Sequence, residues 1–119
     1  MAHTYTLTIP PSTNHLYQRR GRHTFKTKRY TDWLTENTIT IGAAKPHRNY
    51  PAKVHISIHG GKGWRSTRDI DNTAKACLDL MQLIGVLAED NTDHIDHLVV
   101  SYLPPKTLKD AAYCTLVIY

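Results

Sequence analysis

The segment 70–84 has apolar residues around most of a helical circumference, and this constrains the fold more than any other feature of the chain. At helical spacing only a narrow stripe stays polar, made of Asp71, Lys75, Asp79 and Gln82. A helix with so wide an apolar surface has to be packed on most of its sides. The stripe suits a solvated edge with i,i+4 pairing of its aspartates and lysine. We predict a helix over about residues 71–84, ended by Gly85.

Four shorter segments alternate between apolar and polar residues, as strands do. They span residues 5–9, 53–60, 97–103 and 112–119. Another helix is predicted over about residues 28–44. We expect the last two strands to be adjacent and antiparallel, joined by the hairpin-like connection "PPKTLKDA". These elements predict an α+β fold, in which a mixed four-stranded sheet packs against two main helices.

Length and composition indicate a single compact domain, residues 1–119, because neither half could build a hydrophobic core alone. No apolar run approaches the thickness of a bilayer, and the first residues lack the apolar centre of a signal peptide. Cys77 and Cys114 have no metal-type spacing and are expected to be reduced thiols in the core. We therefore expect a cytoplasmic protein without a membrane partner.

The charge is distributed unevenly along the chain. Residues 1–68 hold 12 Lys or Arg and 2 Asp or Glu, whereas residues 69–119 hold 3 and 8. A basic surface of this kind commonly marks a polyanionic partner such as nucleic acid. The polar loop "PPSTNHLYQRRGRHTFKTKRY" concentrates basic residues among aromatic ones. A protein that is merely basic is the alternative interpretation.

Asp69 and Asp71 stand one residue apart at the predicted start of the second helix. A helix N-terminus favours carboxylates, so Asp71 could be the N-cap, but capping does not explain Asp69. Two carboxylates a few ångströms apart repel unless a cation lies between them or one is protonated. Mg²⁺ suits such a pair, because it leaves further positions to water and substrate phosphates. Lys75, one turn further on, could stabilise negative charge that develops on a phosphate.

A second acidic cluster follows this helix and contains Glu89, Asp90, Asp93 and Asp96. It could complete a cation site only if the chain returns, because such a helix separates its ends by about 20 Å. The cluster lacks the Gly and Glu positions of an EF-hand loop. His94 and His97 lack the neighbouring cysteines of a zinc site. The residues best support Mg²⁺-dependent phosphoryl transfer on a nucleic acid.

Two stretches, "RDIDNTAKACLDLM" and "GVLAEDNTDHIDHLVV", with "IPPSTNHLY" and "GRHTFKT" upstream, resemble the RusA-type Holliday junction resolvases. These small endonucleases are often carried by phages and prophages, and the similarity spans nearly the whole chain. The resemblance implies a homodimer that binds four-way DNA junctions and cuts two strands symmetrically with Mg²⁺ or Mn²⁺ and no small-molecule cofactor. It implies that Asp69, Asp71 and Asp90 are the catalytic, metal-binding carboxylates and that Lys75 is the catalytic lysine.

The chain departs from the family pattern after the second helix. The downstream acidic pair is usually Asp-Asp and here reads Glu89-Asp90, and the following loop is one residue longer. We keep Asp90 as the third metal ligand, with Asp93 as the alternative alignment. Arg68 and Asn72 fall on motif positions and are carried over as supporting residues.

The basic loop is expected to bind DNA. Its cations and the motif arginine would track phosphates, with an affinity that falls steeply with salt; they are Arg19, Arg20, Arg22, Lys26, Lys28, Arg29 and Arg68. Phe25 or Tyr17 could stack on an unpaired base at the junction centre, with core or loop packing as the alternative. Asn14 is expected to order the loop through turn-type hydrogen bonds.

Three classes of function remain open. The favoured one is a Mg²⁺-dependent, structure-selective endonuclease that resolves Holliday junctions during DNA recombination or repair. The second is a branched-DNA-binding protein without catalysis, whose aspartates are caps and salt-bridge partners. The third is a different small Mg²⁺ enzyme that acts on nucleotides or RNA. Fold similarity alone would not separate them, because function depends on sites.

Overall fold

The computed structural model describes residues 2–12, 17–107 and 109–119. In these residues the elements are β1 His3–Thr8, β2 Tyr17–Arg20, β3 His23–Lys26, α1 Lys28–Ile41, β4 Ala52–His59, α2 Ile70–Leu83, β5 Ile95–Leu103 and β6 Tyr113–Ile118. A four-stranded sheet has the order β1-β6-β4-β5. The predicted α+β fold, with a mixed four-stranded sheet and two helices, is confirmed. Asn14 lies outside the described residues.

The two ends of α1 are set by residues that suit helix termini. The Thr27 side chain accepts a hydrogen bond from the Tyr30 backbone N–H at 3.2 Å, as an N-cap does. At the other end Gly42 has a φ of 70°, which glycine adopts readily, and its N–H donates to the Thr38 carbonyl. The helix therefore begins where predicted and ends at Ile41, before the predicted end at residue 44.

The wide apolar surface of α2 is buried, as its sequence predicts. The helix begins one residue earlier than expected, at Ile70, and its buried residues are Thr73, Ala74, Ala76, Cys77, Leu78, Leu80 and Met81. Cys77 and Cys114 of β6 are buried free thiols, in agreement with the prediction. A hydrogen bond between the two thiols and burial raise the pKa of Cys77. In the described residues no helix has the length and apolar character needed to cross a membrane.

The order of the last two strands differs from the prediction. β4 lies between them, parallel to β5 and antiparallel to β6. Parallel neighbours need a crossover connection, and α2 lies within it. The central position suits β4, because Val54, Ile56 and Ile58 are fully buried, whereas β5 exposes most of its residues. The predicted antiparallel pairing of the last two strands, and the hairpin-like connection between them, are therefore wrong.

The predicted basic loop contains a β-hairpin. β2 pairs antiparallel with β3, and Arg20 stands opposite His23. Gly21 and Arg22 form the two-residue connection, and Gly21 has a φ of 58°, as the first position of a type II′ turn requires. All residues of both strands are exposed. The cations of this hairpin are therefore accessible to a large partner.

The four-stranded sheet has one face in the core and one open face. The core face carries buried residues such as Leu7, Ile56 and Leu116. The open face has three cross-strand rows: Thr4–Val117–His55–Val99, Thr6–Thr115–Ser57–Ser101 and Tyr113–His59–Leu103. All of these residues are exposed or half-buried, and none is Lys, Arg, Asp or Glu. We call this surface the open sheet face.

Candidate functional site

The two aspartates lie exposed at the start of α2. Asp69 occupies the N-cap position with an extended backbone, and Asp71 lies in the first turn. In the described part of the chain the Asp69 side chain accepts no capping hydrogen bond. Its Oδ2 accepts from the Asn72 side-chain amide at 3.3 Å, and the Asn72 backbone N–H donates to Asp71 Oδ1 at 3.0 Å. The predicted N-cap role of Asp71 is wrong, because Asp69 occupies that position, although Asp71 satisfies one backbone N–H of the first turn; capping does not account for the Asp69 carboxylate.

Asn72 and Arg68 hold the segments around this pair. Asn72 contacts both aspartates and so fixes their mutual arrangement. Arg68 donates hydrogen bonds to the carbonyls of Pro10 and Gly63, and its guanidinium lies 4.8 Å from the centre of the Trp64 ring. Burial lowers the pKa of Arg68. Arg68 therefore ties the segment after β1 to the loop before α2, which fits a supporting role.

A cleft of about 840 Å³ opens beside Asp69. Its walls come from the segment after β1, from α1 and from the loop before α2; they include Pro10, Pro11, Ser12, Arg29, Asp32, Trp33, Glu36, Arg65, Arg68 and Asp69. Three arginines and three acids therefore line the cleft together. Arg65 was not identified from the sequence, although it stands in the same loop as Arg68.

Lys75 forms an ion pair with Asp79, in which the Lys75 Nζ lies 3.4 Å from Asp79 Oδ1. The predicted i,i+4 pairing is thus found on the C-terminal side of Lys75. Burial alone would lower the pKa of Lys75, but the charge and hydrogen bond of Asp79, with the charges of Tyr17 and Asp90, raise it overall. Asp90 therefore acts electrostatically on Lys75, which keeps its positive charge.

The position of the third carboxylate remains a prediction. Among the described residues no three His, Cys, Asp or Glu side chains come together closely enough to hold a metal ion. Asp69 and Asp71 are at the N-terminal end of α2, whereas Asp90 follows its C-terminal end. In the loop of Asp90, Glu89 accepts a hydrogen bond from the Asn91 amide. Two exposed carboxylates, with room for water and a phosphate, fit the oxygen ligands that Mg²⁺ prefers.

The predicted DNA-binding residues of the hairpin and of α1 differ in the contacts that their side chains make. Arg20, Arg22 and Lys26 are exposed, while the Arg19 Nε donates to the Gly21 carbonyl at 3.1 Å. On α1, Arg29 is exposed and lines the cleft, and Lys28 forms an ion pair of 2.8 Å with Asp32. These residues are Arg19, Arg20, Arg22, Lys26, Lys28 and Arg29. Their exposure leaves them accessible to DNA phosphates.

The two aromatic residues of the hairpin have different surroundings. The Phe25 side chain is exposed, and the ring of His23 lies 6.1 Å from its ring. Tyr17 packs edge-on against Tyr30 at 5.6 Å and donates its hydroxyl to Asp79 Oδ2 at 3.2 Å. Phe25 is thus the better placed of the two to stack on a base, and Tyr17 joins the hairpin to α2.

The sequence did not reveal the environment of Asp79. Tyr17 and Tyr30 both donate to Asp79 Oδ2, and Lys75 approaches Asp79 Oδ1. The available signal was the spacing of Lys75 and Asp79 along the polar stripe, which predicted a solvated pair. The two tyrosines are distant in sequence, so their contact depends on the fold.

No family model matches the chain, and no curated protein matches it significantly. Membership of the RusA-type family accordingly remains a prediction.

Proposed function

We propose that this protein is a Mg²⁺-dependent endonuclease that cuts four-way DNA junctions symmetrically as a homodimer. The observation that carries the proposal is that the carboxylate of Asp79 contacts both the basic hairpin and the polar stripe of α2. Asp79 binds both Tyr17 of the basic hairpin and Lys75 of the stripe that begins with Asp71. The element suited to binding DNA phosphates therefore packs directly on the helix whose polar residues are suited to acting on one of them.

The proposed metal ligands are Asp69 and Asp71, with Asp90 as third ligand and Asp93 as its alternative. Bound Mg²⁺ or Mn²⁺ would orient a water for attack on phosphorus and offset the negative charge that develops there. Asn72 holds the carboxylates of Asp69 and Asp71 in place through its hydrogen bonds. Their exposure leaves room for the metal's water ligands and a phosphate oxygen.

Lys75 is proposed to bind the phosphate that is cut. Its ammonium group is a point charge that can stabilise a non-bridging or leaving oxygen. Because its pKa is raised, Lys75 carries this charge at neutral pH. It therefore acts as an electrostatic stabiliser and does not serve as a base.

The proposed DNA surface consists of the hairpin, the start of α1 and the arginines that line the cleft. Exposed arginines and lysines would bind phosphates without reading sequence, which suits recognition of a branched shape. Phe25 can stack on a base that is unpaired at the branch point, because its ring is exposed.

The proposed dimer forms through the open sheet face of two copies. Two symmetric cuts need two copies of one site related by a two-fold axis. The whole chain has a formal net charge of +5, so two copies repel when charged surfaces meet. The three rows of the open sheet face have no Lys, Arg, Asp or Glu, and His59 stacks on Tyr113 there with ring centroids 4.2 Å apart. Lys53 lies beyond these rows on the same face, where an ion pair of 3.1 Å with Asp96 offsets its charge. A second copy can therefore approach this face without charge repulsion.

The proposed site of action is the cytoplasm of a bacterium or of a phage-infected host cell. The free thiols Cys77 and Cys114 suit a reducing compartment.

Cleavage of a synthetic four-way junction beside a duplex of the same sequence tests the proposal. Each arm is end-labelled in turn, and the reactions contain Mg²⁺, Mn²⁺ or EDTA. We expect paired nicks at symmetric positions in the junction only, and none in EDTA. Cleavage of duplex at the same rate would contradict junction selectivity, and equal cleavage in EDTA would contradict the metal dependence.

A binding protein without catalysis is the second candidate. The observation in its favour is that no three metal-binding side chains come together in the described part of the chain. Such a protein would bind the junction tightly and leave all strands intact with either metal. The same junction experiment therefore separates the two functions.

A further inference from the structure

Asp79 is the best-anchored carboxylate in the described polar stripe of α2. Its side chain is only 18 % exposed. Oδ2 accepts a hydrogen bond from the Tyr30 hydroxyl at 2.7 Å and another from the Tyr17 hydroxyl at 3.2 Å. Oδ1 faces the Lys75 Nζ at 3.4 Å. The carboxylate thus has one oxygen fixed by phenol donors and the other directed at a lysine.

The donor that fixes Asp79 is itself immobile. Tyr30 is fully buried, its ring stacks near Trp33 with centroids 6.1 Å apart, and Thr27 accepts a hydrogen bond from its backbone N–H. Burial, followed by the hydrogen bond and charge of Asp79, raises the pKa of Tyr30 far above its usual range. The Tyr30 hydroxyl therefore keeps its proton at neutral pH and can donate it in a hydrogen bond to Asp79.

A second Lys–Asp pair with the same i,i+4 spacing shows what this anchoring adds. Lys28 and Asp32 of α1 lie 2.8 Å apart, with side chains that are 89 % and 51 % exposed. Exposed pairs of this kind contribute little, because both side chains lose conformational entropy to form them. In the α2 pair, Asp79 is already held by other residues, so only Lys75 has to be ordered.

We propose that Tyr30 and Asp79 are positioning residues that fix the Lys75 ammonium group on the polar stripe of α2, where the proposed nuclease uses it on the phosphate that is cut. The inference rests on the proposed nuclease function. It assigns Tyr30 and Asp79 a part in that function, which the sequence pattern did not. A long lysine side chain on an exposed helix surface would otherwise sample many rotamers. Fixing its charge before the substrate arrives lowers the cost of stabilising the transition state.

Tyr17 extends this arrangement to the basic hairpin. Its hydroxyl shares Asp79 Oδ2 with Tyr30, and the Lys26 ammonium group of β3 lies 5.9 Å from the centre of the Tyr30 ring. The hairpin thus packs on the residues that hold Lys75. DNA that binds the hairpin is thereby brought to the side of α2 on which the Lys75 charge is fixed.

The first test uses single-turnover cleavage with the enzyme in saturating excess over the junction, and the dissociation constant is measured in Ca²⁺. We expect Tyr30→Phe and Asp79→Asn to slow cleavage by about 10-fold or more while the dissociation constant changes by less than about 2-fold. Tyr30→Phe keeps the buried ring and removes only the hydroxyl, so it tests the inference even if Asp79→Asn unfolds. Asp110→Asn is the matched control, since it removes one exposed carboxylate that lies outside both acidic clusters.

The second test measures Lys75 itself and does not depend on cleavage. Limited acetylation followed by mass spectrometry gives the labelling rate of each lysine. We expect Asp79→Asn to increase labelling of Lys75 severalfold, because the amine loses the partner that raises its pKa. Tyr30→Phe should also increase it, because Asp79 loses the hydrogen bond that holds it beside the amine. Labelling of the exposed Lys109 serves as the internal reference.

The outcomes separate this inference from the proposed function. If the wild type cuts junctions and both variants cut at its rate, the nuclease function stands and the positioning role is overturned. Slower cleavage with unchanged Lys75 labelling would also overturn it, since the tyrosine and aspartate would then act on the fold only. A wild type that cuts no junction with either metal would overturn the proposed function and this inference together.

Discussion

At the scale of single residues, the central feature is a pair of exposed carboxylates at the start of α2, of which only Asp71 is seen to accept a backbone N–H of the helix. Asp69 stands at the N-cap position without capping α2, and Asp71 is exposed in the first turn. A capping carboxylate would accept a backbone N–H of the second or third helical residue. Retaining two exposed acids beside basic elements that are proposed to bind DNA is unfavourable unless a cation offsets their charge. Helix-end contacts account for part of Asp71, which accepts the Asn72 backbone N–H, and not for Asp69, whereas a metal-binding role would explain both acids.

Replacing Asp71 with asparagine separates catalysis from binding. The substitution keeps the size of the side chain and removes one metal-binding charge. We expect cleavage of a four-way junction to fall by about 100-fold or more. Junction binding should hold or tighten, because one negative charge that faces phosphates is lost. Gel-shift and cleavage assays on one preparation check this, and an equal loss of both would make Asp71 a structural residue.

The pH dependence of Lys75 provides a second prediction at this scale. The groups that act on the Lys75 charge are Asp79 of α2, Tyr17 of β2 and Asp90 of the loop after α2, and together they raise its pKa above 10.5. In Asp79→Asn the largest of these contributions is lost and burial lowers the pKa. The charged form is then lost as pH rises toward the lowered value.

The measurement is the ratio of the variant rate to the wild-type rate between about pH 7 and pH 10. The ratio removes effects of pH on metal-bound water, which both proteins share. We expect it to decline as pH rises for Asp79→Asn and to stay level for Asp110→Asn. A level ratio for Asp79→Asn would show that Asp79 does not sustain the Lys75 charge.

Prediction from sequence was successful where local chemistry decides and failed where distant residues meet. The polar stripe of α2, and the exposed aspartates at its start, follow from helical spacing alone. The state of Asp79 does not, because Tyr17 and Tyr30 lie 62 and 49 residues away from it along the chain. A half-buried, anchored carboxylate and a solvated one have the same local sequence pattern.

At the scale of elements, the hairpin of β2 and β3 is the feature that the sequence concealed. Every residue of both strands is exposed, so apolar and polar residues do not alternate along them. The usual strand signal reports one buried side, which this hairpin lacks. The Arg20–His23 segment does carry a turn signal in Gly21, whose positive φ suits a two-residue hairpin connection.

Replacing Arg20 with alanine tests the hairpin as a phosphate-binding element. We expect weaker binding to junctions of any sequence and a salt dependence whose log–log slope falls by about 1. Arg48→Ala is the matched control, because it removes the same charge from an exposed residue before β4. Binding is measured by fluorescence anisotropy across salt concentrations. A slope that changes equally in both variants would exclude a specific contact by Arg20.

At the scale of the whole molecule, the sheet order places α2 in a crossover between parallel strands. Sequence neighbours pair often enough that adjacent β5 and β6 were the natural expectation. The buried β4 takes the central position instead. Asp69 and Asp71 lie at the start of α2, whereas Asp90 follows its end. The role of Asp90 as third metal ligand therefore stays a prediction.

The open sheet face predicts how two copies associate. Ser57 stands in the middle of the central row of this face, beside Thr115 and Ser101. Ser57→Arg would place like charges against each other across the two-fold axis, and we expect it to convert the dimer to a monomer in sedimentation velocity. Thr40→Arg adds the same charge on the exposed surface of α1 and should remain dimeric.

Paired cutting should depend on that association. Ser57→Arg is expected to bind junctions more weakly and to release single nicks in place of coordinated pairs. A Ser57→Arg protein that remains dimeric would place the interface elsewhere. Paired nicking by a protein that is monomeric throughout the assay would contradict the need for two copies.

The most direct test of the account is cleavage of an end-labelled four-way junction by the wild type and by Asp71→Asn, purified side by side, in Mg²⁺ and in EDTA. We predict paired symmetric nicks for the wild type in Mg²⁺ alone, and intact strands in the other three reactions. Cleavage that persists in Asp71→Asn would show that Asp71 does not carry the activity. Tight binding by the wild type with no cut in Mg²⁺ or Mn²⁺ would contradict catalysis and leave a protein that only binds branched DNA.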